Sequence, residues 1–184
     1  MTNNQQPTTN KARPTERHQS FGRGFTVVES LVAIMILLLA ITGAASAIQT
    51  GISSYIFSKD QFIAFYLAQE GFEQIRNIRD ENGLKGQDWL TNLAPCFGAD
   101  GCYIDILLPN PLPVACGTNC PVIRQSSVSG FYGYDGSWNT TIFNRRIKMQ
   151  TINSEEVSVV VTVDWSKGIV NRQFKARENL LNWQ

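Results

Sequence analysis

Apolar residues are concentrated in one uninterrupted run near the N-terminus of the chain. Every residue from Leu31 to Ala40 is apolar, and residues 41–48 add only small or apolar side chains. The longer span from Ser30 to Ser58 contains no charged residue. As a helix this span would extend about 43 Å, at about 1.5 Å per residue. Because the hydrocarbon core of a bilayer is about 30 Å thick, the pattern predicts a transmembrane helix over about residues 27–48.

A helical stripe continues beyond the membrane-spanning run. Seven apolar residues recur at spacings that suit one face of a helix: Ile48, Ile52, Ile56, Ile63, Leu67, Ile75 and Ile78. Lys59 and Gly71 interrupt this stripe, and Asn82-Gly83 is a natural stop signal. We therefore predict one long helix over residues 25–80, apolar in its first half and amphipathic in its second, with residues 52–78 packed on a core.

The rest of the chain predicts a small β-sheet preceded by loops. Residues 81–129 are rich in glycine and proline, which predicts loops with one short strand at Tyr103–Leu108. Residues 130–184 contain alternating apolar and polar positions, which predict three strands joined by turns: Thr141–Thr151, Val157–Trp165 and Ile169–Ala176. The predicted fold class is therefore α+β, a long N-terminal α-helix packed on a small antiparallel β-sheet head.

Charge differs between the segment 1–24 and the remainder of the chain. Residues 1–24 net +3, from four basic residues and one acidic residue: Lys11, Arg13, Arg17, Arg23 and Glu16. The whole chain nets +1, so residues 25–184 net −2. Basic residues before an apolar helix favour a cytoplasmic N-terminus. We therefore predict a basic leader peptide at residues 1–24, a single-pass helix in contact with membrane lipid, and an extracytoplasmic head.

The boundary between the basic and apolar segments has two interpretations. One is an ordinary secretory signal or anchor, since Ala45-Ser46-Ala47 fits the signal-peptidase pattern and would release a protein beginning at Ile48. The other rests on the run Gly24-Phe25-Thr26-Val27-Val28-Glu29. This run resembles the type IV prepilin signature, in which glycine precedes the cut, an aromatic residue follows it, and glutamate is fifth in the mature chain.

The resemblance to prepilins covers Phe21 to about Ile48, with a looser match through the following helix. It implies that a prepilin peptidase cuts after Gly24 and then methylates the new amine of Phe25. It also implies that the partners are other pilins or pseudopilins and an inner-membrane assembly platform. Many major pilins have a proline near the small residues at 43–47, which this chain lacks, so a minor pilin or a type II secretion pseudopilin fits better.

Physical chemistry gives Glu29 a reason to lie at the edge of the apolar run. A carboxylate costs about 2.5–3.5 kcal/mol if it reaches the centre of a bilayer. Cleavage after Gly24 would create a positive amine on Phe25. In a filament, that amine could neutralise the Glu29 carboxylate of a neighbouring subunit.

Four cysteines lie within one stretch of the predicted loop region: Cys96, Cys102, Cys116 and Cys120. An extracytoplasmic head is in an oxidising compartment, so we expect disulfides. Four cysteines allow three pairings, and we favour Cys96–Cys102 with Cys116–Cys120, because each bond would close one local loop. The alternative is a four-thiolate zinc site, although neither pair has the usual Cys-x2-Cys spacing.

Candidate catalytic chemistry is sparse. The single histidine, His18, lies in the leader, and the sequence has no serine nucleophile elbow or phosphate-binding glycine loop. We therefore predict a structural subunit without catalytic residues, cofactor or bound metal. Two alternatives remain, a filament-tip module that binds DNA or surfaces and a signal-anchored exported protein. The net charge of −2 does not indicate nucleic acid, but a basic face that includes Arg145, Arg146 and Lys148 would allow it.

Overall fold

The computed structural model of the protein describes residues 24–182. The leader predicted at residues 1–24 lies outside this range apart from Gly24, and so do the last two residues of the predicted head. The chain divides into two compact units, with the boundary between Thr50 and Gly51. One helix, α1 (Val27–Leu84), has residues in both units.

In the first unit, α1 contains the apolar run, and every residue from Gly24 to Thr50 is exposed. Within residues 24–182, α1 is the one helix that is long and apolar enough to cross a membrane, with a mean hydropathy of 2.6 in its most apolar window. A continuous helix suits that environment, because its backbone groups are hydrogen-bonded within the segment. This length and composition indicate a single-pass or signal-anchored membrane protein.

The second unit is a seven-stranded antiparallel sheet on which the later part of α1 packs, so the predicted α+β class is confirmed. A short 3-10 helix at Ala94–Phe97 precedes the strands. In chain order, the strands are β1 (Cys102–Ile104), β2 (Pro113–Ala115), β3 (Val122–Gln125), β4 (Tyr132–Gly133), β5 (Asn139–Asn153), β6 (Glu156–Lys167) and β7 (Val170–Leu181).

The long strand β5 is the centre of the sheet. Along one side it pairs with β6, which in turn pairs with β7. Along its other side, β3 pairs with the first part of β5 and β1 pairs at Ile147. The short strands β4 and β2 extend the sheet from β3 and β1, respectively. Every strand of the head is therefore connected to β5 directly or through one neighbour.

The core lies between α1 and the inner face of the sheet. Strand β6 contributes five alternating buried residues: Val157, Val159, Val161, Val163 and Trp165. Helix α1 contributes Leu67, Phe72, Ile75 and Ile78 to the same cluster. Full burial of one such side chain stabilises the fold by about 1.5–3 kcal/mol, so this face of β6 is a main reason why the sheet and the helix hold together.

The buried stripe of α1 begins later than the sequence predicts. Ile48 and Ile52 are 62% and 56% exposed, and the first fully buried residue is Ala64. Small residues alternate with large ones in this contact, since Ala64, Ala68 and Gly71 are also buried. The prediction that residues 52–78 pack on the core is therefore wrong at its N-terminal end, because Ile52 is exposed and Ile56 is only partly buried. Before Ala64 the sheet does reach the helix at Phe57, whose ring lies 4.1 Å from the Arg172 guanidinium of β7.

Helix α1 ends at Leu84 rather than at residue 80. Asn82, which we predicted to stop the helix, is buried, and its amide Nδ2 donates to the carbonyl of Thr91 at 2.7 Å. The chain reverses instead at Gly86, which has φ +68°. The amide of Gln87 then donates to the Asn82 carbonyl at 2.9 Å, a pattern that closes many helices at glycine.

The region predicted to be mainly loops supplies three strands. Strand β1 is shorter than the predicted Tyr103–Leu108, because the chain turns at Asp105, whose carboxylate accepts the Leu107 amide at 3.2 Å. Just before β1, Gly101 has φ +71°, and a Cβ there would lie 2.5 Å from the Ile147 carbonyl oxygen. Only glycine fits this close approach of β1 to β5.

Candidate functional site

The sequence-predicted processing site lies where α1 begins. Thr26 precedes the first helical residue, and its Oγ1 accepts the Glu29 amide at 3.2 Å. The Thr26 carbonyl accepts the Ser30 amide at 3.1 Å, which is the first bond of the helix. Thr26 is thus the N-cap, and Glu29 is the third helical residue, the Thr-x-x-Glu spacing of a capping box. The helix start therefore fixes the position of Glu29.

Gly24 and Phe25 lie outside the helix in an open position. Residues 24–26 have no regular secondary structure, and Phe25 is 80% exposed. A Cβ on Gly24 would meet no atom of the described chain within 4 Å. Packing in this chain does not demand glycine at position 24, so a requirement for glycine there would come from a partner such as a protease. The Gly24–Phe25 peptide bond is accessible to one.

The electrostatics of the helix start favour an acid at position 29. The first turn of a helix has unpaired N–H groups and a partial positive charge, which stabilises a nearby carboxylate by about 0.3–1 kcal/mol. Glu29 is the acidic residue in the first turn of α1, and it is exposed. The residues at this end therefore expose a peptide bond and place one negative charge in the first turn of α1.

Hydroxyl groups in the apolar half of α1 are bonded within the helix. Thr42 Oγ1 donates to the Leu38 carbonyl at 2.9 Å, and Thr50 Oγ1 donates to the Ser46 carbonyl at 3.0 Å. An unsatisfied polar group is costly in lipid. These two side chains therefore do not oppose insertion of the helix into a bilayer.

The four cysteines form two disulfides, Cys96–Cys102 and Cys116–Cys120, in the pairing that the sequence analysis favours. The first joins the 3-10 helix to β1, and the second closes the loop between β2 and β3. All four sulfurs are used, so none is free for the alternative four-thiolate zinc site. Within residues 24–182, no group of three or more His, Cys, Asp or Glu side chains is placed to hold a metal ion.

Arg145 does not belong to a basic face. It is 2% exposed and lies on the inner side of β5, between the sheet and α1. Its Nη1 donates to the Leu67 carbonyl at 3.1 Å and pairs with Glu70 at 3.2 Å, while Nη2 donates to the Ile104 carbonyl at 3.3 Å. The prediction of a basic face that includes Arg145 is therefore wrong, because strand alternation places its side chain in the core.

Tyr134 lies beside this buried arginine. Its hydroxyl is buried and has no hydrogen-bond partner among the described residues. Burial raises the pKa of the Tyr134 phenol, and the positive charge of Arg145 partly opposes that rise. The space beside Arg145 and Tyr134 has no room for a substrate, so we interpret the Arg145 cluster as a structural connection between helix and sheet.

An open groove of about 510 Å³ runs beside α1 and is lined by Tyr66, Gln69, Glu70, Phe72, Glu73, Arg76 and Glu178. Its charged groups are already paired with protein groups. Arg76 bonds both Glu73 and Glu178, with a distance of 2.9 Å from its Nε to Glu178. The hydrogen bond to Glu178 raises the pKa of Arg76 above the ordinary value of an arginine. The Arg76–Glu178 pair ties α1 to β7, whereas the Arg76–Glu73 pair lies within α1.

Comparisons of the chain with protein families, with curated proteins and with solved structures give no match. Function must therefore be inferred from the residues themselves. The strongest feature is the start of α1, where an exposed Gly24–Phe25 bond, a capped helix and a first-turn carboxylate come together. The sequence predicted the residues of this feature but not the role of Thr26, although the spacing of Thr26 and Glu29 is a recognisable capping signal.

Proposed function

We propose that the protein is a structural subunit of a type IV pilus or of a related type II secretion filament. In this proposal a prepilin peptidase cuts after Gly24 and methylates the amine of Phe25. The first half of α1 holds the subunit in the membrane until an inner-membrane platform moves it into the filament. A minor pilin or pseudopilin is the favoured assignment, since α1 has no proline near residues 43–47.

The observation that carries the proposal is the position of the prepilin-like motif relative to the helix. The bond between Gly24 and Phe25 lies two residues before the first helical residue, Val27, and is exposed. A protease that binds extended peptides needs such a segment. Glu29 then lies in the first turn, at the start of a run long enough for a membrane. An ordinary signal sequence has no need of an acid there, because burial in lipid penalises it.

The assembly step follows from the same residues. Cleavage creates a cationic amine on Phe25, and in a packed filament the Glu29 carboxylate of a neighbouring subunit neutralises it. A pair of opposite charges in a medium of low dielectric attracts far more strongly than in water. The exposed apolar side chains of residues 31–48 pack against sister helices and are removed from lipid. We expect the head, with its core on β5 and β6, to stay folded throughout.

Intact mass and N-terminal sequencing of the protein from its native cells test this proposal. The expected mature chain begins with N-methyl-Phe25 and keeps the whole of α1. A chain that begins at Ile48 would instead indicate cleavage by signal peptidase after Ala47. A chain that keeps the whole segment before Phe25 in cells with active prepilin peptidase would also contradict the proposal.

A further inference from the structure

The outer face of the sheet, opposite α1, carries a cluster of four basic residues, of which the sequence analysis considered only the two on β5, Arg146 and Lys148. On the three long strands β5, β6 and β7, residues directly opposite one another point to the same side. The pairing places Arg146 beside Thr162 and Thr162 beside Lys175. In the next outward row, Lys148 lies beside Val160 and Val160 beside Arg177. We call the four basic residues the outer-face quartet: Arg146, Lys148, Lys175 and Arg177.

The quartet is compact and accessible. Two residues along a strand span about 7 Å and two strand spacings about 10 Å, so the backbone positions of the four residues lie within a patch of that size. Lys148, Lys175 and Arg177 are exposed and Arg146 is partly exposed. The residues between them, Val160 and Thr162, are uncharged. No charge within the two rows opposes the four cations.

The charges of the quartet are not neutralised within the head. Among the ion pairs of residues 24–182, none involves a member of the quartet. Two members bond to neutral oxygens, since Lys148 Nζ donates to the Ala99 carbonyl at 2.9 Å and Arg177 Nε donates to Ser158 Oγ at 2.6 Å. These bonds hold the cations in place without removing their charge. Unpaired like charges this close repel one another and favour an anionic partner.

The carboxylates of the outer face lie outside the two central rows, on either side of them, and are already hydrogen-bonded. Asp164 accepts the Gln173 amide at 2.8 Å, one row beyond Arg146. At the other end, Glu156 accepts the amides of Asn153 and Asn179. The central two rows therefore form a positive strip, even though residues 25–184 net −2.

We propose that the outer-face quartet binds the phosphate backbone of DNA. A patch with four separated cations suits a polymer that repeats its negative charge, better than it suits one small anion. The two arginines lie on one diagonal, and guanidinium groups bind phosphate through two parallel hydrogen bonds. The two central rows and the flanking rows of these strands have no aromatic side chain. Base stacking is therefore absent, and binding is independent of sequence.

Full-length protein in nanodiscs of neutral phosphatidylcholine tests the proposal, with fluorescence anisotropy of labelled duplexes of two unrelated sequences. Both duplexes should bind with equal affinity. The logarithm of the affinity should fall against the logarithm of salt concentration with a slope of about −3.6, since each phosphate contact contributes about −0.9. A slope near zero, or no binding at low salt, would overturn the proposal. This outcome would leave the filament assignment untouched, because the quartet takes no part in processing.

A pair of matched variants separates the quartet from general charge. Lys148→Gln with Lys175→Gln removes two members, and the slope should become shallower by about 1.8. Lys85→Gln with Lys167→Gln removes two exposed lysines elsewhere, and it should bind as the natural protein does. Equal loss in both double variants would contradict a defined site.

A third variant keeps all four cations. Thr162→Glu places a carboxylate between Arg146 and Lys175 on the central strand, and it should weaken DNA binding at least as strongly as the double lysine variant. Parallel titrations use heparin and vesicles that contain phosphatidylglycerol. If the quartet variants alter binding to those anions while duplex DNA does not bind, the patch recognises another polyanion and the proposal is wrong.

Discussion

Arg145 on β5 forms an ion pair with Glu70 on α1, at 3.2 Å between Nη1 and Oε2, and the arginine side chain is only 3% exposed. The same guanidinium also donates hydrogen bonds to the carbonyls of Leu67 on α1 and Ile104 on β1. One buried cation thus connects the helix, β1 and β5. The inner face of β5 is otherwise apolar at Phe143, Ile147 and Met149.

The first prediction concerns this connection. Arg145→Ala should lower the free energy of unfolding by about 3–5 kcal/mol, because it leaves a carboxylate and two carbonyls without their partner. Glu70→Gln should cost less, since Arg145 keeps its hydrogen bonds to the Leu67 and Ile104 carbonyls and the glutamine still offers an oxygen that can accept from Nη1. Urea unfolding of the full chain in detergent measures both, followed by fluorescence of the buried Trp89 and Trp165. Lys175→Ala is the control, and a loss as large as that of Arg145→Ala would refute the buried-pair argument.

The second prediction tests the close approach of α1 to β6. A Cβ on Gly71 would lie 3.1 Å from Cγ1 and 3.3 Å from Cγ2 of Val161. Gly71→Val should therefore destabilise the head by about 1–3 kcal/mol through overpacking. Gly51→Val is the matched control, because a Cβ there meets nothing within 4 Å. The two variants are compared in the same unfolding assay, and equal effects would mean that the contact does not restrict residue size.

The fold was predictable where periodicity is long. The alternation of β6 and the apolar run of α1 each continue over several periods, so the pattern is unambiguous. Strands β1 to β3 have three or four residues each, which is too short for a period to be recognised. They exist because β5 and the disulfides hold them in place. Gly71 interrupts the apolar stripe in the sequence, but in the structure the helix packs closely on β6 at this residue. The residue types of the helix do not reveal this contact.

The candidate site was predictable in its residues but not in its surroundings. Gly24, Phe25 and Glu29 are recognised from their types and spacing, because the motif is local. The sequence suggests a surface position for Arg145, because charged residues are rarely buried, and its partner Glu70 is far away in sequence. The outer-face quartet joins residues of β5 and β7, and only the register of the sheet reveals their proximity.

The third prediction separates processing from folding at position 24. Gly24→Leu should leave the head as stable as in the natural protein, since the position is open. The same variant should remain an uncut precursor, whose intact mass still includes the segment before Phe25. Gly51→Leu provides the control, because it adds the same side chain at another open glycine and should be processed normally. Normal cleavage of Gly24→Leu would remove the prepilin interpretation.

The fourth prediction concerns Glu29. Glu29→Gln keeps the N-cap bond, which uses the backbone amide of residue 29 and Thr26 Oγ1, so the helix start should persist. Cleavage should proceed, but the yield of filaments sedimented from cells should fall, because the amine of the neighbouring subunit loses its counter-charge. Asp60→Asn removes a carboxylate farther along α1 and should assemble normally. Filaments in undiminished amount from Glu29→Gln would count against charge pairing.

The fifth prediction concerns alkaline stability. Burial raises the pKa of the Tyr134 phenol, so the folded head keeps its proton at pH values where the unfolded chain has lost it. The contribution of Tyr134 to the free energy of unfolding should be complete at pH values below the pKa of the unfolded tyrosine, about 10. It should decrease as the pH rises through that value. Tyr134→Phe should reduce this decrease, measured as melting temperature between about pH 9 and pH 11. Tyr66→Phe, at an exposed position, should leave the decrease as it is.

The two disulfides have a mechanical consequence for a protein that is pulled at its ends. The bonded cysteines are six and four residues apart in sequence. The two bonds therefore prevent about 36 Å of chain from extending, at about 3.6 Å per residue. Neither bond bridges α1 and the sheet. Resistance to tension must therefore come from the hydrogen bonds of β5 with its neighbours and from the packing of α1 on β6. Chemical reduction would leave the force of rupture nearly unchanged and would release only this short length of chain.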